Sequence, residues 1–431
     1  MPTIVRGHDA GNRSPARDEG WVLSSERAIM LCAAPYGADA VADPGDPGPK
    51  DAPLRGAIRA EFERHDARIG YGCPSAGPGM IFAEEMLDRG GELHLVLPCP
   101  PDEFVAQHVA PAGGDWTARF AQVRVGAERV EVSCEERLRG DETVLRFNNQ
   151  MLQGMARLHA ERIGARARLM ALWSPGAPGL PGSPADFIDQ WPELEHLSLV
   201  DLDELGGSVQ PAPHDDLSDA FGALSIGISP LVVRAIFFAD LATYTTIRDE
   251  DVPLLWDFLA EVQHQVEQRA KAPILINSWG DAVHAAAETA TDLAGYATAL
   301  VESTARLDLA GFGLEKRPRF RVALHAGPVY VGLHPLTGRS MVFGHHVNRA
   351  ARIEAIAAPG EIFASQHFVA LLKAEMDARL HESQQEGEAY EAAYGVEYLG
   401  TMELPKNFGR EAIYRIQPAP GAVEQCAGSR G

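Results

Sequence analysis

Short apolar runs alternate with helix-period segments in two long blocks, and the alternation stops once, across residues 208–230. Strand and helix in alternation require crossover connections, which build layered α/β sheets rather than bundles or sandwiches. The interrupting stretch, "SVQPAPHDDLSDAFGALSIGISP", mixes Pro, Asp and Ser and keeps neither period, so it reads as a connector. At 431 residues the chain exceeds one ordinary core. The expected organisation is a flexible tail over 1–25, a Rossmann-like domain over 26–207, a linker over 208–230, a second α/β domain over 231–417 and a second tail over 418–431.

In the first block "RAIMLCAA" and "ELHLVLP" read as buried strands. "PGMIFAEEMLDRGG" and "MLQGMARLHAERIGA" have helical spacing, and "RARLMALWS" is a further strand. These imply a parallel sheet. The turn "GYGCPSAGPGM" is Gly-rich and opens a helix. It reads either as an anion-binding loop with free N–H groups or as a tight turn whose small residues serve packing. "SAGPGMIFAEEMLDRGGELHLVLP" resembles the SLOG group of Rossmann-like domains, which implies a sensor role and a small-molecule ligand for the first domain.

Bulk chemistry narrows the partners. A formal net charge of −22 argues against DNA or RNA, whose phosphates need clustered Lys and Arg. Five scattered cysteines without a CxxC pair point to a reducing compartment. The first twenty residues lack the apolar core of a signal peptide, and no run of about 18 apolar residues offers a membrane span. A cytosolic protein with no membrane partner is expected.

The second block carries the candidate chemistry. "LVVRAIFFAD" is an apolar strand ending in Asp240. "APILINS" and "AVHAAA" flank Trp279, Gly280 and Asp281 as a hairpin. Carboxylates fixed at a sheet edge can hold a pair of Mg²⁺ or Mn²⁺ ions; each taken alone also fits a helix cap or a turn. "RFRVALHAGPVYVGL" is expected to be a strand with a Gly turn. In "GHHVNRAARIEAIAAPGE", Asn348 and Arg352 are four apart and share a helix face, an amide and a guanidinium suited to a polar ring and a phosphate. Arg349 falls on another face and is expected to be solvated. His345 and His346 point apart, which disfavours a shared metal. Lys406, in the loop of "MELPKNFGRE", is either a phosphate contact or a surface lysine.

In order, "RAIFFADLATYTT", "INSWGDAV", "RVALHAGPVYVGL", "FGHHVNRAARIEAIAAPGEIFAS" and "MELPKNFG" resemble the class III nucleotidyl cyclase catalytic domain over residues 231–417. The resemblance implies a ferredoxin-like α/β domain acting as a homodimer on a nucleoside triphosphate. Asp240 and Asp281 would bind two divalent cations. Asn348 and Arg352 would come from the partner as catalytic residues, Lys406 would touch the leaving pyrophosphate, and Thr243 would lie in the phosphate loop.

Three positions depart from the family's pattern. Family members that make cyclic AMP carry Lys where this chain has Asn277, and Asp or Thr where it has Met341. The family usually has Gly at Thr243, and a β-branched residue narrows that loop's backbone options. Reading of the base would then fall to Asn277, Trp279 and Met341. The substrate is left open between ATP and a pyrimidine triphosphate, since related bacterial cyclases with altered pockets make cyclic CMP or cyclic UMP as antiviral signals. A non-catalytic nucleotide-binding regulator on the same fold is the alternative.

Overall fold

The computed structural model describes residues 28–36, 51–135, 142–174, 179, 181–205, 231–242, 244, 247–386 and 394–419. The expected tail over 1–25, the linker over 208–230 and Thr243 lie outside the described residues.

The first unit runs β1 (Ala28–Ala33), α1 (Ala52–Arg64), β2 (Ile69–Gly72), α2 (Pro78–Asp88), β3 (Glu92–Leu97), α3 (Pro101–His108), α4 (Trp116–Gly126), β4 (Arg129–Val132), α5 (Glu142–Ile163), β5 (Arg166–Trp173), α6 (Pro184–Asp189) and β6 (Leu197–Asp201). Its six strands lie in the order β4-β3-β2-β1-β5-β6, and every pairing is parallel. Helices on both faces bury such a sheet, which is why β1 is apolar at each of its six positions and buried throughout.

The second unit runs β7 (Val232–Leu241), α7 (Val252–Glu267), β8 (Leu275–Trp279), β9 (Ala282–Ala287), α8 (Ala290–Arg306), β10 (Phe320–Leu333), β11 (Ser340–Phe343), α9 (His345–Glu354), β12 (Ile362–Ser365), α10 (Gln366–Glu386), β13 (Tyr394–Glu403) and β14 (Arg410–Pro418). Its mixed sheet has the order β13-β14-β12-β10-β7-β9-β8, with β11 paired to β10. The hairpin around Gly280 forms as the sequence predicts. The Gly turn inside β10 does not, because the strand continues through Gly327 to Leu333. Gly327 instead makes room for a side chain: a Cβ there would lie 2.3 Å from Nδ1 of His346.

One apolar core runs from the first sheet into the second. The two units meet along α5 and α10. Gly154 of α5 brings the helices so close that a Cβ on it would lie 2.2 Å from the Ala370 carbonyl oxygen. Beside that contact Arg157 pairs with Asp377 at 2.8 Å, Lys373 pairs with Glu161, and Phe147 stacks on His367 with ring centroids 6.2 Å apart. Cys32, Cys73, Cys99 and Cys134 are buried free thiols. Among the described residues no helix is long and apolar enough to cross a membrane.

Candidate active site

The ten residues of β7, most of them apolar and buried, carry a half-buried Asp240 just before the last position, Leu241. The β8–β9 hairpin carries Asp281 just past Gly280, which takes the left-handed backbone (φ 63°) that glycine adopts at no steric cost. Pairing of β7 with β9 brings the two acids together, and their carboxyls are within hydrogen-bonding reach. Burial, then the bond to Asp240 and its charge, pushes the Asp281 carboxyl above its usual range.

Two further residues complete this cluster. Antiparallel register sets Arg321 of β10 opposite Asp240, and its guanidinium donates to Asp240 at 2.5 Å. The same guanidinium reaches Glu354 of α9 at 3.1 Å. Burial, together with the Asp240 and Asp281 charges, raises the Glu354 carboxyl despite that cation. Sequence reasoning missed both residues. The arginine is visible in "RFRVALHAG", but only strand register says which acid it faces.

Asn348 and Arg352 do share one face of α9, as their spacing predicts. Asn348 is exposed. Arg352 sets its guanidinium over the Phe408 ring at 5.3 Å, and its Nε is buried without a hydrogen-bond partner. Phe408 belongs to the β13–β14 loop that also carries Lys406, exposed and with positive φ. Among the described residues, no hydrogen bond or ion pair joins Asn348, Arg352 or Lys406 to Asp240 or Asp281.

Arg349 is not solvated as expected. It is 7% exposed, bonds Glu411 at 2.7 Å and pairs with Glu135 of the first unit. A guanidinium can be buried there because two carboxylates meet its charge. His345 lies 2.7 Å from Glu135, while His346 is buried and bonded to His325 at 2.9 Å, so neither is set up as a metal ligand.

The amide of Asn277 donates to the Ser340 carbonyl at 2.9 Å. Met341 follows Ser340 on β11, opposite Gly332. An open cavity of about 470 Å³ lies at this edge, lined by Asn277, Ser278, Arg339 and Ser340 among others. Trp279 closes β8 at the hairpin.

In the first unit the Gly-rich turn serves packing. Ser75, Ala76, Gly77, Pro78 and Gly79 are all buried, Ser75 donates to the Pro35 carbonyl at 2.8 Å, and the Ala76 N–H bonds the His108 carbonyl. A Cβ on Gly79 would lie 2.9 Å from the Cys73 carbonyl oxygen.

Residues 233–397 match the family described as the adenylate and guanylate cyclase catalytic domain. No curated protein sequence matches. Among solved structures, the guanylate cyclase domain from Catenaria anguillulae in complex with GTP is similar at 18% identity over 44% of this chain and 98% of that one, with a TM-score of 0.34. The adenylyl cyclase CyaB from P. aeruginosa is similar at 16% identity over 46% and 99%, with a TM-score of 0.36. The adenylate cyclases of Trypanosoma brucei in their monomeric state are similar at 18% identity over 44% and 91%, with a TM-score of 0.33.

Proposed function

From a class III nucleotidyl cyclase catalytic domain at residues 233–397, we propose that this chain converts a nucleoside triphosphate to a 3′,5′-cyclic nucleotide and pyrophosphate, at sites shared between two copies. The observation that carries this is the contact between Asp240 and Asp281 at the β7–β9 edge. Two neighbouring carboxylates are hard oxygen donors, the set that Mg²⁺ or Mn²⁺ takes. Bound cations would lower the pKa of the ribose 3′-hydroxyl and neutralise charge on the phosphates.

The chain's other residues would bind and orient. Arg321 meets the charge of Asp240, and Glu354 would remain as that guanidinium's partner if Asp240 were to hold a cation. Asn348, Arg352 and Lys406 make no bond to this acid pair within one subunit, so a second copy would supply them across a two-fold interface, and each homodimer would carry two sites. The buried, unpartnered Nε of Arg352 suits an anionic oxygen. Its charge would favour the pentacoordinate phosphorus over the ground state. Lys406 would contact the departing pyrophosphate as a mobile point charge.

Base recognition would fall to the edge holding Asn277. With its N–H engaged by Ser340, the amide oxygen is left to accept from an exocyclic amine. ATP, CTP and GTP carry such an amine at the Watson–Crick edge, whereas UTP carries none. The first unit, packed on α10 and joined to α9 through Glu135, would adjust turnover.

The Arg321–Asp240 ion pair also favours a second reading, a nucleotide-binding regulator whose acid pair stays closed to cations. Incubating purified protein with ATP, GTP, CTP and UTP in turn, under Mn²⁺ and under Mg²⁺, separates the two. A cyclic product that disappears in Asp240→Ala supports the cyclase. Nucleotide binding without product from any of the four supports the regulator.

A further inference from the structure

Away from the acid pair, on the other sheet, a second group of metal-ligating side chains faces the seam between the units. Glu92 and His94 are two residues apart on β3 and therefore project from the same face. Helix α5 crosses that face and presents His159. The two imidazole rings stand nearly perpendicular, centroids 5.2 Å apart. One ring nitrogen from each histidine and one carboxylate oxygen of Glu92 lie within 4.8 Å of one another. Both histidines are 8% exposed.

The surroundings hold these donors in place. Tyr71, opposite His94 in the β2–β3 register, stacks on the His94 ring at 4.5 Å. Its hydroxyl lies 2.9 Å from Nδ1 of His159, which leaves Nε2 of that ring as the free donor. A hydrogen bond on the remote ring nitrogen fixes tautomer and orientation, as outer partners of metal-bound histidines do. Burial lowers the proton affinity of both imidazoles, and His94 adds to the effect at His159. Neutral imidazole is the ligating form.

His94 and His159 open onto a cavity of about 510 Å³. The first unit gives one wall; Met376, Tyr394, Tyr398 and Tyr414 of the second unit contribute to the other. That space can hold water at the remaining coordination position.

We propose that Glu92, His94 and His159 form a binding site for a divalent transition-metal ion of the zinc(II) class, on the wall of this interdomain cavity. Two borderline imidazole nitrogens beside a single hard carboxylate oxygen select Zn²⁺ or Co²⁺ over Mg²⁺ and Mn²⁺. Bond lengths of about 2.0–2.2 Å set two donors at most about 4 Å apart, so the ion draws the three inward by less than about 1 Å. On binding, the hydrogen bond between His94 Nε2 and Glu92, 2.6 Å in length, gives way to two metal bonds. The proton on that ring moves to its other nitrogen or to solvent. The site does not depend on the cyclase reading, and its test does not read activity.

The test is a titration with Co²⁺ of metal-stripped, full-length Asp240→Ala protein, a background without the intact acid pair, followed by visible d–d absorption. The expected result is one Co²⁺ per chain, displaced by an equivalent of Zn²⁺ and not by excess Mg²⁺. His94→Ala and His159→Ala abolish the absorption. Glu92→Gln, at an exposed strand start, weakens binding at least tenfold with circular dichroism unchanged. Tyr71→Phe, a positioning change, weakens it roughly 10- to 100-fold. A folded protein that gives no absorption, or one that binds Co²⁺ equally well in Glu92→Gln and His159→Ala, overturns the proposal.

Discussion

The carboxylate of Glu135 leaves the edge of the parallel sheet and pairs with the guanidinium of Arg349, on the helix that also bears Asn348 and Arg352. Arg349 answers to a second acid, Glu411, which is 5% exposed and 2.7 Å away. Removing the arginine leaves that carboxylate buried without its cation. Arg349→Ala should therefore lower unfolding stability by about 3–5 kcal/mol. Glu135 is about half exposed, so Glu135→Gln should cost no more than about 1 kcal/mol while altering how the first unit acts on product formation. Denaturant titration of both variants checks the contrast. Equal losses would show that the inner pair does not hold the helix.

Stability should fall with acid in two steps. Burial, with contributions from neighbouring positive groups, holds His325 and His346 well below 6.5, so both are neutral when folded and take up protons when unfolded. Their contribution is complete above pH 6.5 and declines as pH falls beneath it. Glu135, held down to about 2 first by the hydrogen bond from His345 and then by Arg349, contributes fully above its ordinary 4.5 and loses that between 4.5 and 2. A Tm series against pH should show the first decline reduced in His325→Gln and the second reduced in Glu135→Gln. A wild-type profile flat between pH 7 and 5 would refute the first assignment.

Gly154 tests the seam between the units. In an open helix Gly→Ala gains about 1 kcal/mol of propensity. Here a new Cβ would meet the Ala370 carbonyl oxygen at 2.2 Å, and backbone cannot turn aside as a flexible side chain can. Overpacking of this kind costs typically 1–3 kcal/mol, which outweighs the gain. Gly154→Ala should lower Tm and shift α5 from α10, whereas Gly164→Ala tests the opposite kind of position, with open space but a positive φ of 65°. A stabilised Gly154→Ala protein would mean that the helices separate without loss.

What the sequence disclosed follows from range. The parallel sheet was legible because strands such as Ala28–Ala33 are apolar at every position, a local pattern. Asp240 was legible as the polar end of an apolar run. Arg349 was misjudged because its acids lie 62 and 214 residues away, and helix periodicity carries no information about either. Gly327 reads as a turn in the sequence because glycine marks turns and close contacts alike, and only the position of His346 decides between them. Arg321 and Glu354 escape for a related reason: register between β7 and β10 sets Arg321 opposite Asp240, and Glu354 reaches that guanidinium from α9.

Arg321 provides a cation-linked prediction. It is the cation that meets Asp240 at 2.5 Å and Glu354 at 3.1 Å, with Asp281 alongside. Arg321→Ala leaves three acids facing one another. Without divalent ions Tm should fall, and millimolar Mn²⁺ should raise it by more than in wild type, because the cation then replaces the missing charge. Asp281→Ala in the same background should erase the Mn²⁺ response. An equal Mn²⁺ shift in wild type and Arg321→Ala would remove the arginine from any role in cation binding.

Asn277 is the residue through which base choice is most directly tested. Its amide spans the strand edge to the Ser340 carbonyl at 2.9 Å, and Met341 beside that carbonyl brings no polar group to a base. Losing a polar reader typically removes about 1–3 kcal/mol of discrimination, a factor of roughly 5 to 150. Asn277→Ala should narrow the kcat/KM ratio between the preferred and the poorest triphosphate by that factor while leaving kcat for the poorest nearly unchanged. Asn277→Lys combined with Met341→Asp introduces a donor and an acceptor at the two positions, and should shift preference toward ATP. If both variants keep the wild-type ranking of the four triphosphates, the base is read elsewhere on the surface.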